Sequence, residues 1–578
     1  MCGIAGVVMR DGSAPDAGVL ARLHGAIAHR GPDGRGSLVR GGVALLHARL
    51  AIIDLTTGDQ PQFAPGGAAL IANAEIYNNP ELRAAMAGTP FRTRSDCEPA
   101  VFLYEAQGVT FAERLRGMYA LAIHDPAAGR LVLARDPFGI KPLYYAENAA
   151  MLAFASEPQA LLAAGFGRRA VDPGRRAELL QLKFTTGAAT IFPGIFRVLP
   201  GETIVVEGGR IVGRQRLPAL PAGRPVTMAP DAALRGLDAA LRDSVAVHLR
   251  SDVPYGLFLS GGIDSSALLA LMSGLTGQRI QALTVGWEGG VDESGEALRV
   301  AGVMGADCER LEMTQRDFWE LAPRIAAAID DPTADAAVLP TYLLGRAAAA
   351  GRLKVTLCGE GADELLGGYA RYRKRRAPWS WIARKPRSKG VFGDPQGLAG
   401  WRDGLTRAEV STGDRSALQA AQAVDVAEWL PNDLLTKLDR CLMVHGVEGR
   451  TPFLDPAVAA AAFRLPDAGK ASLRFGKVLL RRWLAENFPQ AGAYAKKQGF
   501  KPPVGAWMAA RGAELAALAV AHPSLAGVLP AAMIRGSFLG AEADPQRAWS
   551  LLFYALWHSH HVQGLSSQGR VDEVLAAR

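Results

Sequence analysis

The hydrophobic pattern of this chain changes once, between residues 210 and 235, and the two patterns require different kinds of domain. Up to about residue 205, short β-branched runs alternate with Gly, Pro and Asp turns, which is typical of a strand-rich domain. From about residue 235, short apolar runs are followed by Ala/Leu-rich helical patterns, as in 256–259 and 267–272. This alternation predicts a parallel sheet covered by helices, with a largely helical C-terminal part.

The length of the chain also favours two domains. A chain of 578 residues exceeds what one hydrophobic core usually serves. The segment between the two patterns is rich in Gly, Pro and charge, which is typical of a linker. We therefore expect a first domain at 1–210, a linker at 211–234 and a second domain at 235–578.

Composition excludes several classes of protein. The chain has no run of about 18 uncharged apolar residues and no secretory signal pattern, so we expect a cytoplasmic protein without a membrane partner. Its five cysteines are scattered and never form a C-x-x-C pair, which argues against a disulfide framework or a structural zinc site. The thiols are expected to be reduced.

The net charge of +8 raises the question of a nucleic-acid partner, because basic residues are concentrated in 371–376 and 384–389. A solvated loop explains such a run as well, and we favour that interpretation. The role of the basic segment 371–389 stays open at this point.

A cysteine directly after the initiator methionine is a candidate nucleophile. Removal of Met1 would leave Cys2 with a thiol beside its own α-amine, whose pKa of about 8 lets it accept the thiol proton near neutral pH. The apolar run that follows, 3–8, predicts a strand that would hold this nucleophile rigidly. One residue would then supply both nucleophile and base.

A glycine-rich loop in the second domain indicates phosphate binding. Ser260-Gly261-Gly262-Ile263-Asp264-Ser265-Ser266 lies between a predicted buried strand and a helix, where backbone amides can hold a pyrophosphate. It lacks the Lys-Ser/Thr ending of a Walker A loop, which favours cleavage between the α and β phosphates. A second strand-to-loop crossing, 358–369, adds carboxylates, and Asp264 and Asp363 are the candidate Mg²⁺ ligands.

Several separate motifs carry a resemblance to known families. The loop at 260–266 resembles the PP-loop of ATP pyrophosphatases, and the first domain resembles class II glutamine amidotransferases. The two in this order resemble glutamine-hydrolysing asparagine synthetases along nearly the whole chain. The motifs of the first domain are Arg30–Asp33, Arg49–Asp54, Asn73–Asn78, Ser95–Glu98 and Ala134–Tyr145.

The resemblance implies a fold and a set of residue roles. The first domain would be an α+β sandwich of the Ntn-hydrolase type (αββα), followed by an α/β PP-loop domain. In the first site, Arg49 would bind the α-carboxylate of glutamine, Asp96 its ammonium group, and Glu75 would orient the amino acid. Asn73, with the backbone N–H of Ala74, would form the oxyanion hole for attack by Cys2.

In the second site, the resemblance implies that ATP and aspartate form β-aspartyl-AMP, which ammonia then converts to asparagine. Glu360 would act as base for ammonia, and Lys497 would stabilise the leaving pyrophosphate. The implied ATP-binding residues are Leu259, Ser260, Gly261, Gly262, Asp264, Ser265, Ser266, Val285, Cys358 and Gly359.

Two departures from the family pattern bear on activity. Ala74 replaces the usual glycine, and if that position required a positive φ, alanine would add strain and weaken the glutaminase. Leu442, Val444 and Gly446 replace the usual Ser, Ala and Ser, which would either reshape the acceptor pocket or only repack a helix.

The leading hypothesis is a glutamine-dependent asparagine synthetase that uses ATP and Mg²⁺, with small-molecule substrates and a homodimer as a family expectation. The nearest alternative amidates another carboxylate on a sugar, peptide or natural-product precursor. An RNA-modifying PP-loop protein would not explain Cys2, Arg49 and Asn73 together. A purely structural protein would not explain carboxylates beside a phosphate loop.

Overall fold

The computed structural model describes residues 2–289, 293–375, 389–393, 395, 397–495 and 502–577. None of the helices in these ranges has the length and apolar character needed to cross a membrane.

The first part of the chain forms two antiparallel sheets. One has the strand order β10-β8-β9-β1-β3-β2 and the other the order β12-β11-β7-β6-β5-β4. The strands are β1 (Gly3–Met9), β2 (Gly34–Arg40), β3 (Val43–Arg49), β4 (Gln62–Phe63), β5 (Ala69–Ile76), β6 (Gly117–Asp125), β7 (Arg130–Arg135), β8 (Tyr144–Glu147), β9 (Met151–Ala155), β10 (Ile195–Arg197), β11 (Glu202–Glu207) and β12 (Arg210–Arg216).

Alternation along β1 explains why the sheets stack. Ile4 and Val8 face the other sheet, where their cluster includes Ile71 of β5, whereas Ala5 and Val7 face the opposite side and join a cluster with Leu23. Helices cover both outer faces, so the first domain is the expected αββα sandwich. These helices are α1 (Ala17–Ile27), α2 (Asn79–Ala85), α3 (Glu98–Gln107), α4 (Pro158–Ala163) and α5 (Pro173–Leu182).

The second part of the chain contains a parallel sheet of order β15-β14-β13-β16-β17. Its strands are β13 (Tyr255–Phe258), β14 (Gln281–Trp287), β15 (Asp307–Met313), β16 (Val355–Leu357) and β17 (Glu448–Arg450). Because β13 and β16 are parallel neighbours, the loops that follow them open at the same edge of the sheet. The prediction of a parallel sheet is confirmed.

Helices surround this sheet and form the C-terminal part of the chain, as expected. They are α6 (Pro230–His248), α7 (Ile263–Thr276), α8 (Ser294–Met304), α9 (Gln315–Ala328), α10 (Val338–Ala350), α11 (Ala362–Leu366), α12 (Ala370–Lys374), α13 (Asp403–Val410), α14 (Ala417–Val424), α15 (Thr436–Met443), α16 (Pro456–Phe463), α17 (Asp467–Lys470), α18 (Val478–Asn487), α19 (Val504–Ala509), α20 (Gly512–Ala521), α21 (Ala531–Leu539), α22 (Pro545–His561) and α23 (Val571–Ala576). A π-helical segment, Asp425–Leu435, joins α14 to α15.

The boundary between the two parts lies between β12 and α6. Strand β12 pairs with β11 and extends to Arg216, and α6 begins at Pro230. We propose that the linker starts after Arg216, several residues later than the boundary at residue 210 that the sequence pattern indicates.

Candidate active site

Cys2 lies at the start of β1, inside the protein. Pairing of Gly3 with Ala48 places Cys2 beside the end of β3, and its Sγ lies 3.8 Å from the carbonyl oxygen of Leu50. The Cys2 backbone N–H donates to Asn73 Oδ1 at 3.0 Å, and its carbonyl accepts from Arg30 Nε at 3.2 Å. Burial raises the pKa of the Cys2 thiol, so the thiol needs a base to become a nucleophile.

The side-chain amide of Asn73 is held in one orientation next to Cys2. Because Oδ1 accepts from the Cys2 backbone, Nδ2 points elsewhere, and among the described residues it has no hydrogen-bond partner although it is fully buried. A buried donor without a partner costs stability, roughly 1–3 kcal/mol. A buried donor of this kind is typical of a group that hydrogen-bonds to an oxygen atom of a ligand.

The backbone N–H of Ala74 points away from β6, on the same side of β5 as the N–H groups of its next-but-one neighbours. Ala72 N–H donates to Gln60 Oε1 and Ile76 N–H donates to Asp96 Oδ2, each at 2.6 Å and each away from the paired strand β6. Since alternate amides along a strand face the same side, the Ala74 N–H lies between them on that side. Asn73 and Ala74 thus offer two adjacent donors.

The backbone conformation of Ala74 does not require a positive φ, so alanine causes no strain at this position. In the described residues, the non-glycine positions with positive φ are Asp54, Lys183, Arg352 and Lys477. Ala74 is not among them, and it pairs with Tyr119 within the regular ladder of β5 and β6. A residue in extended β conformation has no need for glycine.

We therefore predict that Ala74→Gly will not increase the glutaminase rate. The variant is expected to be less stable by about 0.5–1 kcal/mol, because glycine loses more conformational entropy in a strand than alanine does. Glutamate release and thermal unfolding of the two proteins would measure both effects. A large gain in glutamate release by the glycine variant would contradict this interpretation of the backbone.

The three residues expected to bind glutamine lie near Cys2. Arg49 follows Ala48, the partner of Gly3, while Glu75 is two residues from Asn73, and Asp96 accepts from the N–H of Ile76. Arg49 ends β3, and its guanidinium contacts the exposed Asp59 at 2.9 Å, a partner that a ligand carboxylate can readily displace. Asp96 is buried, and burial raises the pKa of this carboxyl to about 6. Glu75 forms an ion pair with Arg450 at 3.0 Å.

The Glu75–Arg450 pair was not expected from the sequence, because Arg450 belongs to β17 of the second sheet. Arg450 also donates through Nε to Glu448 Oε1 at 2.6 Å, and Lys141 Nζ lies 3.9 Å from the other Glu448 oxygen. All four side chains are buried. Charged groups of both domains therefore meet directly behind the Cys2 site.

A second buried ion pair joins the domains through Arg30, which binds the Cys2 carbonyl. Arg30 donates to both carboxylate oxygens of Asp439, at 2.8 and 2.9 Å, and to Glu157 at 2.6 Å. Asp439 lies on α15, so this helix is fixed directly to the residue that holds the Cys2 carbonyl. The motif Arg30–Asp33 was recognised in the sequence, but its contact with α15 was not.

The second site is a cavity of about 240 Å³ at the carboxyl ends of β13 and β16. Most of the residues expected to bind ATP line it, together with residues of α10 and α15 that the sequence did not indicate. Its lining is Phe258, Leu259, Ser260, Asp264, Ser265, Leu283, Thr284, Val285, Thr341, Leu344, Cys358, Gly359, Glu360, Gly361, Asp363, Glu364, Tyr369, Leu434, Lys437 and Leu438.

The glycine-rich loop has the backbone geometry of an anion cradle. Gly261 has φ of +72°, and a Cβ there would come within 2.7 Å of the Ala297 backbone nitrogen. Gly262 is the N-cap of α7, so the free amides of the first helical turn face the loop. Ser266 lies behind the loop and is fully buried, outside the cavity lining.

A buried lysine that the sequence analysis missed lies between the two candidate metal ligands. Lys477 Nζ is 2.5 Å from Asp264 Oδ2 and 2.6 Å from Asp363 Oδ1. The two carboxylates therefore face one common point. Two carboxylates with nucleotide phosphates are a typical donor set for Mg²⁺, so the chemistry of these residues suits that cation, but the ammonium of Lys477 occupies the point between them.

Two further carboxylates have altered acidity in the cavity. Burial raises the pKa of Glu360, and burial with the neighbouring Asp363 raises the pKa of Glu364 to about 7. The hydroxyl of Tyr369 donates to Glu364 Oε1 at 2.6 Å. Lys497 and residues 376–388 of the basic segment lie outside the described residues, whereas Arg371 pairs with Asp425 at 2.7 Å.

The altered residues in the last turn of α15 and just after it are outside the lining of the cavity. Leu442 is fully buried between Gly345 of α10 and Gly449 of β17, where a Cβ on either glycine would come within 3.0 Å of it. Neither Val444 nor Gly446 lines the cavity. Repacking of the helix accounts for Leu442.

Sequence similarity to known proteins covers most of the chain. The family model described as asparagine synthase matches residues 236–559, and the model described as glutamine amidotransferase domain matches residues 1–216. The Mycobacterium tuberculosis protein named "Putative asparagine synthetase (glutamine-hydrolyzing)" is 33% identical over 97% of this chain and 98% of its own length.

Two other relatives show the range of the group. Asparagine synthetase 1 of Bacillus subtilis is 29% identical over 97% of each chain. Amidase chry2 of Gibberella zeae is 30% identical over 64% of this chain and 60% of its own length. With both family models matched and a relative that is 33% identical over nearly the full length of both chains, the chain belongs to the asparagine synthase family of glutamine-dependent amidotransferases.

Proposed function

We propose that the protein makes asparagine from aspartate, glutamine and ATP, and releases glutamate, AMP and pyrophosphate. The observation that carries the proposal is the joining of two sites through α15. Lys437 and Leu438 of this helix line the ATP-type cavity, and the next residue, Asp439, holds the arginine that binds the Cys2 carbonyl.

In the first site, Cys2 would attack the carboxamide carbon of glutamine after its thiol proton passes to the α-amine freed by removal of Met1. Asn73 Nδ2 and the Ala74 N–H would donate to the oxyanion, a contribution of about 3–4 kcal/mol for one such donor. As this intermediate collapses, the protonated α-amine gives its proton to the leaving nitrogen, the C–N bond breaks, and ammonia and a glutamyl thioester are formed. Water then hydrolyses the thioester to glutamate and free Cys2.

The two charged groups on the α-carbon of glutamine would each contact a side chain of the opposite charge. Arg49 can exchange its exposed partner Asp59 for the glutamine carboxylate, which suits the fork of a guanidinium. Asp96 would accept from the ammonium group. Glu75 is paired with Arg450, so its proposed part is to hold the wall of the site and connect it to the second domain.

In the second site, the β-carboxylate of aspartate would attack the α-phosphorus of ATP and expel pyrophosphate. The amides at the start of α7 and the ammonium of Lys477 would stabilise the phosphates. Mg²⁺ held by Asp264 and Asp363 would supply further positive charge when bound. Leu259, Val285, Cys358 and Gly359 would line the nucleotide.

Ammonia from the first site would attack the acyl carbon of β-aspartyl-AMP and expel AMP. The attacking nitrogen must lose a proton, and Glu360 is proposed as its acceptor. Its pKa is raised by burial, which makes it a better base than an exposed glutamate. Release of ammonia at Cys2 and its use beside Glu360 are joined within one chain.

The proposal predicts that pyrophosphate release depends on aspartate. Purified protein would be incubated with ATP, Mg²⁺ and glutamine, with and without aspartate, and both pyrophosphate and amino acids would be measured. We expect equal amounts of asparagine and pyrophosphate. Glutamate formation with no effect of aspartate on pyrophosphate would instead indicate another carboxylate acceptor, such as a sugar acid or a peptide.

A further inference from the structure

Lys437 is a buried cation that lines the second cavity, and it forms no hydrogen bond with any residue that the structure describes. Its side chain is 8% exposed and lines the cavity beside Glu360. Within the described ranges, its nearest acidic contact is Asp335 Oδ2 at 3.6 Å, which is beyond hydrogen-bond distance. Three N–H donors are therefore available to a ligand in this cavity.

The surroundings keep Lys437 charged. Burial alone would lower the pKa of this lysine, but the carboxylates of Asp335, Glu360 and Asp433 outweigh burial and raise the pKa above its ordinary value. Asp433 already accepts hydrogen bonds from Thr333 and Trp429. Asp335 is shared with a second lysine, Lys183, at 3.5 Å.

A different cation, Lys477, is the one proposed to stabilise the phosphates of ATP. Lys477 lies against Asp264 and Asp363 on the side of the glycine-rich loop. Lys437 instead lies 3.6 Å from Asp335 and lines the same cavity as Glu360. Glu360 is the proposed base at the acyl carbon. A cation beside that base, and apart from the phosphate loop, is placed to bind the acceptor.

We propose that Lys437 binds a second carboxylate of the acceptor, the one that is not activated by ATP. For aspartate this is the α-carboxylate. The site thereby selects acids that carry two carboxylates, and an acid with one carboxylate leaves the ammonium buried without its partner. This inference rests on the proposed amidation of a carboxylate in the second site.

The test compares pairs of acids that differ by the second carboxylate: aspartate with β-alanine, and glutamate with 4-aminobutanoate. Ammonium chloride serves as nitrogen donor, so the Cys2 site is bypassed, and pyrophosphate and amide product are both measured. Because β-alanine cannot form the charged hydrogen bond to Lys437, we expect the kcat/KM of the wild type to be roughly 10- to 100-fold higher for aspartate than for β-alanine. In Lys437→Met this preference should disappear, with an unchanged KM for ATP.

Lys183→Met is the matched control, because Lys183 contacts the other oxygen of Asp335 but does not line the cavity. It should keep the full preference for aspartate. Lys437→Arg keeps the positive charge, so it should keep part of the preference for aspartate over β-alanine. This variant remains informative if Lys437→Met does not fold. Thermal unfolding of all variants separates loss of folding from loss of binding.

The outcomes distinguish this inference from the proposed function. If aspartate is amidated but Lys437→Met keeps the preference, or Lys183→Met loses it equally, Lys437 does not bind the acceptor. A rise in the KM for ATP would assign Lys437 to the phosphates instead. If glutamate is the acid amidated and its preference disappears in Lys437→Met, the role of Lys437 stands and the aspartate assignment is wrong. A wild type that amidates none of the four acids overturns both.

Discussion

Replacing Cys2 with alanine is expected to abolish glutamine-dependent synthesis while leaving synthesis from added ammonium intact. The thiol is the proposed nucleophile, and loss of a nucleophile lowers the rate by at least about 10³-fold. The second cavity is formed by other helices and strands, so the rate of synthesis from ammonium should change by less than about twofold. Glutamate release and amide formation with each nitrogen donor would be measured on the same preparations.

Cys97→Ala is the matched control for this prediction. Cys97 is another buried thiol of the first domain, and its Sγ lies 3.9 Å from the carbonyl oxygen of Ala74. Its thiol also lies 3.7 Å from Asp96 Oδ1, so it tests the effect of losing a buried thiol next to the glutamine site. It should retain most of the glutaminase activity, because it has no proposed part in the chemistry. Loss of ammonium-dependent synthesis in a folded Cys2→Ala protein would be evidence against two separable sites.

Replacing Glu360 with alanine is expected to abolish synthesis with either nitrogen donor. Glu360 lines the second cavity as the proposed base for ammonia, and removal of a general base typically lowers a rate by about 10²- to 10⁴-fold. Glutamine hydrolysis at Cys2 should continue and serves as an internal control for folding. Asparagine, glutamate and pyrophosphate would be quantified together.

Glu360→Gln tests whether charge or shape matters at this position. Glutamine keeps the size of the side chain but cannot accept a proton, so it should be as inactive as alanine. An active glutamine variant would mean that Glu360 only fills space in the cavity wall. The proposed base would then have to be sought among the other carboxylates of the lining.

The parts of the fold that could be predicted are those specified by local sequence. The apolar, β-branched run at 3–8 predicts a strand, and the glycines at 261 and 262 predict a turn into a helix. These features depend on neighbouring residues alone. The parallel sheet follows from the same local patterns because short buried strands alternate with helices.

The charged contacts behind the sites could not be predicted, because they join residues that are far apart in the chain. Nothing near Glu75 in the sequence indicates Arg450 as its partner, and nothing near Arg30 indicates Asp439. Lys437 lies on a helix whose residues are all buried, so its pattern does not show which side chain faces a cavity. Ala74 is a different case, because only its backbone dihedral could show that glycine is not required.

The ion pairs of Arg30 with Asp439 and of Glu75 with Arg450 also limit how such enzymes can be recombined. Each pair has one member in each half of the chain, and a buried charge that loses its partner costs roughly 3–5 kcal/mol. A glutaminase half taken from a distant relative would therefore fit this synthetase half only if both sides of each pair were exchanged together. The two halves are not modular units, and a functional chimera would have to inherit its interface as one piece.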